Sequence, residues 1–458
     1  MKLTPCLAAA TVAVLAVAGC SGGSTTSAAE QASAPGPSAL PSGQTVEISF
    51  WHSLGDVPGQ TLQKLIDEFN TTNSGKIKVN ASYQGTNTDA LAKYRAAASE
   101  GSTPSVILAY DASTGYLNDV QQTISATALA KANPDDLDLK DISPAGANYY
   151  SSNGEQLAVP FAVSMPLLYV NKEALKKAGI TDTSSLKTLS GVAAAAKEVK
   201  SKVPGVGGLV QPFDGWWFEQ LTAASGAAYC SPDNGRKGSS VEKLDIPASA
   251  EESIKTVSDL YTTGVGLDTG LKGGDASNAF ISGKTAMLFN SSAAAGTIRK
   301  SAAFDYEVLP YPTSGPNDSS GAVIGGSALW VNAKGHTDAE QVASWKLISF
   351  LSSAASQEKF SQATGFAPVN IKVGETETNK AFLQAHPDAA AIAAQFKATP
   401  ATTATAGCLS GALPSIRNAV VPQMQAAFSG QKPLSDAISA AEGDANKAIS
   451  DYLKQVQK

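Results

Sequence analysis

The sequence has few of the residues that most often carry enzyme chemistry, with only three histidines and four cysteines among 458 residues. His52, His336 and His386 lie far apart, and no HExxH motif or His/Cys cluster occurs, which argues against a zinc site. No G-x-S-x-G motif and no Walker A loop is present, which disfavours common hydrolases and NTPases. The sequence therefore predicts no metal, no cofactor and no enzymatic activity.

Positive charge and long apolar segments are also scarce. The formal net charge is −6, charged residues make up 16%, and Lys and Arg do not cluster, so we expect no nucleic-acid partner. No apolar run approaches the 18 residues of a membrane-spanning helix. The length exceeds that of one ordinary core, which favours two lobes.

The amino terminus has the pattern of an exported protein. Lys2 precedes an apolar run, Cys6–Ala18, and the run ends in Val17-Ala18-Gly19-Cys20, which resembles a bacterial lipobox. This pattern predicts a signal peptide over 1–19 and lipidation of Cys20, whereas a plain secretory signal is the alternative. Residues 20–44 are rich in Ser, Ala, Thr, Gly and Pro, which predicts a flexible tether. We expect an extracytoplasmic monomer, lipid-anchored to the outer face of the cell membrane.

Two cysteines remain after the signal peptide and the lipidated residue are set aside. Cys230 and Cys408 in an oxidising compartment suggest one disulfide, and two free buried thiols are the alternative. A bond between them closes a loop of 178 residues, which contributes about 5 kcal/mol in the chain-entropy model.

Strand-like and helix-like segments alternate from Val46 onward, which predicts an α/β fold with largely parallel sheets. In such sheets ligands bind where loops leave the carboxyl ends of strands. Trp51-His52 and Tyr110-Asp111 both occupy that kind of position. A catalytic histidine, a metal ligand and a cleft wall are all compatible with His52, and the missing catalytic motifs favour the cleft wall.

Aromatic and small polar residues are frequent in the predicted loops. Flat rings stack on the apolar faces of sugars and polyols, while hydroxyl and backbone N–H groups bind their oxygens. The residues of this kind are Trp51, Tyr83, Tyr110, Trp216, Trp217, Ser291 and Phe366. They predict a binding cleft, although each ring is also compatible with a core position.

Several ordered motifs resemble the extracellular solute-binding proteins of bacterial ABC importers, in the carbohydrate and glycerol-phosphate group. The matching stretches are Phe50-Trp-His-Ser53, Asn153-Gly-Glu-Gln-Leu-Ala-Val-Pro160, Pro166-Leu-Leu-Tyr-Val-Asn-Lys172, Phe280-Ile-Ser-Gly-Lys-Thr-Ala-Met287, Ile324-Gly-Gly326 with Leu329-Trp-Val331, and Thr364-Gly-Phe-Ala-Pro368. The resemblance is strongest to the receptors for sn-glycerol 3-phosphate and glycerophosphodiesters.

The resemblance implies a two-lobed periplasmic-binding-protein-like fold with a hinge and an interlobe cleft. Residues 45–144 and 320–370 would form the first lobe, and residues 145–319 and 371–458 the second. The implied function is capture of a small polar solute by hinge closure and its delivery to ABC permease subunits. A glycerophosphate-type ligand comes first and a mono- or oligosaccharide second. An exported glycoside-acting enzyme and a structural surface lipoprotein are the alternatives from other classes.

The family's ligand contacts carry over unevenly. Those on matching residue types are Ser164, Ser291, Gly326 and Arg417, to which the cleft positions of Trp51 and His52 are added. Asp111 stands where the family has a longer carboxylate, whereas Asn87 and Phe366 stand where it has tyrosines. Trp216 aligns with a stacking tryptophan. Arg417 is expected either to grip a phosphate or to form a structural salt bridge on its helix.

Overall fold

The computed structural model describes residues 34–315 and 321–456. These residues form fifteen strands, which are β1 Val46–His52, β2 Ile77–Tyr83, β3 Val106–Tyr110, β4 Thr123–Ile124, β5 Ser151–Ser152, β6 Glu155–Gln156, β7 Val159–Ser164, β8 Pro166–Asn171, β9 Gly207–Val210, β10 Cys230–Ser231, β11 Lys243–Leu244, β12 Gly266–Leu267, β13 Thr285–Ser291, β14 Tyr306–Pro310 and β15 Gly325–Asn332. The α-helices are α1 Asp56–Thr72, α2 Asn87–Glu100, α3 Thr114–Asp119, α4 Ala126–Ala132, α5 Pro144–Tyr149, α6 Lys172–Lys177, α7 Leu189–Lys202, α8 Trp216–Ala223, α9 Ala248–Thr262, α10 Gly273–Ile281, α11 Ala295–Ser301, α12 Asp338–Leu351, α13 Ala354–Thr364, α14 Glu377–Ala385, α15 Pro387–Ala398, α16 Leu413–Phe428 and α17 Leu434–Val456. The signal peptide and Cys20 lie outside the described residues.

The first sheet has the strand order β2-β1-β3-β15-β4, and β7 pairs with β15 as well. Strand β1 runs parallel to β2 and β3, because the intervening helices α1 and α2 return the chain to the same edge. Strand β15 runs antiparallel to β3, β4 and β7, so the sheet is mixed and the prediction of a largely parallel sheet is wrong here. The apolar residues of β1 alternate inward and pack with Leu62 and Trp345.

The second sheet has the order β12-β9-β13-β8-β14. Strand β9 is parallel to β12 and β13, while β8 is antiparallel to β13 and β14. The chain passes from the first sheet to the second between β7 and β8, where Met165 alone separates the strands, and it returns between β14 and β15. We call the elements around the first sheet the first lobe and those around the second sheet the second lobe. The residue boundaries stated above for the lobes stay a prediction.

A cross-link and a buried arginine hold the segment 406–408 in place. Cys230 and Cys408 form a disulfide with Cα atoms 5.5 Å apart. The guanidinium of Arg236 donates to the backbone carbonyls of Tyr149 and Gly407 at 2.7 and 2.9 Å, and it also donates to that of Ala406. These backbone oxygens satisfy a charge that has little access to water.

Two boundaries differ from those that the sequence predicts. Strand β1 extends through Trp51 and His52, so these two residues end the strand instead of lying in the loop that leaves it, and α1 begins at Asp56. Residues 34–44 were expected within the flexible tether. Instead, Ala34 and Leu40 pack against the first-lobe core, and the amide of Asn133 donates to the carbonyl of Pro35 at 3.0 Å.

Candidate functional site

A cavity of about 700 Å³ lies where the ends of strands from both sheets meet. Seven of the ten ligand-binding residues expected from the sequence line it, namely Asn87, Asp111, Ser164, Trp216, Ser291, Gly326 and Arg417. Its volume is in the range of small-molecule sites in proteins. We call this cavity the cleft.

Strand ends bring most of these residues together. Asp111 directly follows β3, Ser164 ends β7, and Ser291 ends β13. The helices contribute side chains from the other side, with Asn87 at the start of α2 and Trp216 at the start of α8. The cleft is therefore the crevice at the carboxyl ends of strands that α/β folds commonly use.

Gly326 permits the close approach of β15 to β7. Its φ is +103°, a conformation that favours glycine, and a Cβ there would lie 1.9 Å from the carbonyl oxygen of Ala162. The neighbouring Gly325 leaves room for Trp216, whose ring would be 3.0 Å from a Cβ at that position. Bare backbone thus forms one wall of the cleft.

Trp216 offers an aromatic surface and an open donor. Its backbone N–H donates to Oδ1 of Asp214 at 3.0 Å, which fixes the start of α8, and its ring lies edge-on to that of Trp217. Among the described residues the indole N–H has no hydrogen-bond partner, although it is buried. A ligand that stacks on or beside this ring could accept that hydrogen bond.

Arg417 is engaged by two carboxylates. Its Nη2 lies 2.5 Å from Oδ2 of Asp111, and its Nε lies 2.5 Å from Oε1 of Glu219. The Glu219 side chain has no solvent exposure, and 14% of the Arg417 side chain is exposed. Burial disfavours the charged guanidinium, but the two carboxylates outweigh it and raise the pKa of Arg417, whereas burial raises the pKa of Glu219 against the opposing effect of Arg417.

The structure thus contains the salt bridge that was the structural alternative for Arg417, although its partners come from the end of β3 and from α8 rather than from its own helix. The phosphate-binding role of Arg417 stays a prediction. Because two anions already neutralise one guanidinium, this part of the cleft has a negative balance. The electrostatic attraction between Arg417 and a dianionic ligand group is therefore weaker than the attraction that an unpaired arginine would provide.

Asp214 and Arg95 complete the charged groups that line the cleft. Burial raises the pKa of Asp214 to about 6, although Arg417 and the N–H of Trp216 act in the opposite direction. The guanidinium of Arg95 lies over the ring of Tyr116, 4.6 Å from its centroid. Asp214, Glu219 and Arg95 were not expected from the sequence. A sequence signal for Glu219 is that it is the one acid within the otherwise uncharged helix α8.

Trp51, His52 and Phe366 do not line this cleft. Because β1 continues through His52, that side chain packs against Phe50 and Tyr83, and burial lowers its pKa. Trp51 packs against apolar residues of the core. Phe366 stacks on a neighbouring phenylalanine and lines a separate small cavity. The ligand-binding assignments of these three residues stay predictions without support from the geometry.

Metal-ion sites and membrane-spanning helices are two other features that residues 34–315 and 321–456 could contain. Within these ranges no group of three or more His, Cys, Asp and Glu residues is arranged to hold a metal ion. In the same ranges no helix combines the length and the apolar character that crossing a membrane requires.

Comparison with known proteins gives one family and one fold. The model of the family "bacterial extracellular solute-binding protein" matches residues 64–391. UgpB of Rhizobium meliloti, an sn-glycerol-3-phosphate-binding periplasmic protein, is 29% identical over 410 residues, covering 88% of this chain and 94% of its own. UgpB of Escherichia coli K12 is 26% identical over 416 residues, covering 90% and 94%.

Solved structures agree on the architecture. UgpB of Mycobacterium tuberculosis in complex with glycerophosphocholine superposes with a TM-score of 0.74 at 22% identity, covering 89% of this chain and 99% of that one. The sugar-binding protein MalE of Xanthomonas citri gives a TM-score of 0.74 at 16% identity, covering 90% and 100%. The predicted two-lobed periplasmic-binding-protein-like fold is thereby confirmed.

Proposed function

Because this chain belongs to the bacterial extracellular solute-binding proteins, we propose that it captures a glycerophosphodiester or glycerol 3-phosphate and delivers it to an ABC permease. As a solute-binding protein it is a non-enzymatic transport component. The relatives named for sn-glycerol 3-phosphate support the ligand class, since they cover almost the whole folded chain.

The pairing of Arg417 with Asp111 and Glu219 is the observation that favours a glycerophosphodiester over glycerol 3-phosphate. A phosphate monoester has nearly two negative charges at neutral pH, whereas a phosphodiester has one. Three carboxylates, those of Asp111, Asp214 and Glu219, outnumber the two guanidinium groups at this cavity, so the second negative charge of a monoester is repelled. We therefore rank a glycerophosphodiester above glycerol 3-phosphate. A diester with an ammonium group is expected to bind more tightly still, because that cation is attracted to the carboxylates and can form a cation–π contact with the Trp216 ring.

A neutral mono- or oligosaccharide is the second candidate, and the same carboxylates favour it. Asp111 and Asp214 can accept hydrogen bonds from sugar hydroxyls, and the Trp216 ring can stack on a sugar face. Ser164 and Ser291 add hydroxyl groups that serve either ligand. The sugar-binding structural neighbours are compatible with this candidate as regards fold alone.

Capture proceeds by closure of the two lobes on the solute. The cleft residues come from elements of both sheets, so a bound solute contacts both lobes at once and favours the closed form. The permease then recognises that form. Retention at the cell surface is proposed through lipidation of Cys20. Changing Cys20→Ser is expected to release the protein or leave it unprocessed, and membrane retention of normally processed protein would contradict the anchor.

Isothermal titration against glycerophosphocholine, glycerol 3-phosphate and maltose tests the proposal. We expect binding of the diester, weaker binding of the monoester and the weakest binding of maltose. Trp216→Ala should weaken binding about tenfold or more. Tyr83→Ala is the control, because it removes an exposed ring outside the cleft and should leave the affinity unchanged. Binding of maltose without either phosphate compound would replace the first candidate by the second.

A further inference from the structure

Asp111 and Arg417 belong to different lobes. Asp111 follows β3 in the first sheet. Arg417 lies on α16, whose residues Ile416 and Val420 are buried in the core of the second sheet. The 2.5 Å contact between their side chains therefore joins the lobes directly.

Glu219 holds the same guanidinium from within the second lobe. Its helix α8 packs in the same core as α16, and its Oε1 receives the N–H of Arg417 Nε. In the part of the chain that the structure describes, Oε2 of Glu219 has no hydrogen-bond partner. If the lobes separate, Asp111 leaves while Glu219 stays, so Arg417 keeps one anion and is never a lone buried charge.

Further close contacts between the lobes occur near this pair. A Cβ at Gly115 would lie 2.2 Å from the carbonyl carbon of Ser410, so α3 and the segment before α16 touch through backbone. The hydroxyl of Tyr452 on α17 donates to Oδ2 of Asp119 at 2.7 Å. The lobes therefore meet along a seam that includes the Asp111–Arg417 pair as a buried ionic contact.

We infer that the Asp111–Arg417 pair is an interlobe latch and that Glu219 is its positioning residue. The latch draws the lobes together before a solute enters, and the solute completes the closure. This role differs from direct binding of a ligand phosphate by Arg417, because the latch acts in the ligand-free protein. The inference rests on the proposed closure mechanism but does not depend on which solute binds.

The latch has a consequence for affinity. If only the closed form binds tightly, the apparent dissociation constant equals the intrinsic constant divided by the closed fraction. Loss of the latch lowers that fraction, and this effect alone weakens the binding of every solute by the same factor, on the order of tenfold, in addition to any direct contact that a solute makes with Asp111. Loss of a ligand contact would instead change the ranking among solutes.

Small-angle scattering of the ligand-free protein tests the latch without any solute. Asp111→Asn keeps the size of the side chain and removes its charge, and we expect a larger radius of gyration than in the wild type. Asp388→Asn is the matched control, since Asp388 pairs with Arg299 at 2.6 Å in a contact outside the cleft. The control should leave the radius unchanged. An Asp111→Asn protein that scatters like the wild type would overturn the latch.

Glu219→Ala tests the positioning role, because it removes the oxygen that accepts the N–H of Arg417 Nε, whereas a glutamine could keep that hydrogen bond. The alanine variant should also expand the ligand-free protein, and it should add nothing when Asp111→Asn is already present, because both changes act on one contact. A Glu219→Ala protein with a lower melting temperature but an unchanged radius of gyration would show a merely structural role and overturn the assignment. Failure of all three solutes to bind would refute the proposed ligands while leaving these scattering results intact.

Discussion

Asp214→Asn is expected to make the protein more stable at neutral pH, although it removes a charge beside Arg417. Asp214 precedes α8, and its Oδ1 accepts the N–H of Trp216 at 3.0 Å. An asparagine oxygen can keep that hydrogen bond. Burial raises the pKa of Asp214 to about 6 from an ordinary value of 3.8, so the ionised carboxylate is unfavourable in the folded state.

The sign and the magnitude follow from this pKa difference. Between pH 4 and pH 6 the folded state binds more protons at Asp214 than the unfolded state does, so the free energy of unfolding falls as the pH rises through this window. The loss is complete only when the pH is well above 6. A difference of about two pKa units corresponds to roughly 3 kcal/mol. Asparagine does not ionise, so the variant escapes this loss.

Urea unfolding at pH 4.0 and pH 8.0 measures the effect. The free energy of unfolding of Asp214→Asn, relative to that of the wild type, should be higher at pH 8.0 than at pH 4.0 by up to about 3 kcal/mol. Asp135→Asn replaces an exposed acid outside the cleft and serves as the control, for which no such gain is expected. If the stability difference between Asp214→Asn and the wild type is the same at both pH values, burial does not control the ionisation of Asp214 and the reasoning is refuted.

Three other changes have defined outcomes. Replacing Cys230 and Cys408 by serine should lower the free energy of unfolding by up to about 5 kcal/mol, because a loop of 178 residues opens, and an unchanged denaturation midpoint would contradict this. Gly326→Ala should abolish solute binding or destabilise the fold, whereas Gly374→Ala, where a Cβ meets nothing within 4 Å, should do neither in the same titrations. Arg417→Ala leaves two unpaired carboxylates and should cost about 3–5 kcal/mol in unfolding whatever the solute, so unaltered stability would mean that the pairs are weak.

The gathering of cleft residues was predictable because it depends on strand ends. Short apolar strands followed by polar residues mark the carboxyl edge of a sheet, and Asp111, Ser164 and Ser291 all meet that description. The two lobes followed from the length of the chain and from the resemblance. These features depend on the order of apolar and polar residues over short stretches of the chain, and a single sequence is enough to show that order.

Features that depend on long-range packing were not predictable. The residues before α1 were expected to form a loop at the cleft, but β1 continues through His52 because its pairing with β2 extends to Tyr83. The partners of Arg417 lie about 200 and 300 residues away in sequence, and no local pattern connects them. Sequence alone therefore identified Arg417 without revealing that Asp111 and Glu219 neutralise it.

A crystal structure of the protein with glycerophosphocholine tests the central claim most directly. The account predicts the ligand in the cleft, in contact with Trp216, Ser164 and Ser291, with the Asp111–Arg417 pair intact beside it. Glycerophosphocholine bound elsewhere, for example in the groove between β14 and the start of α15, with the cleft empty, would contradict it.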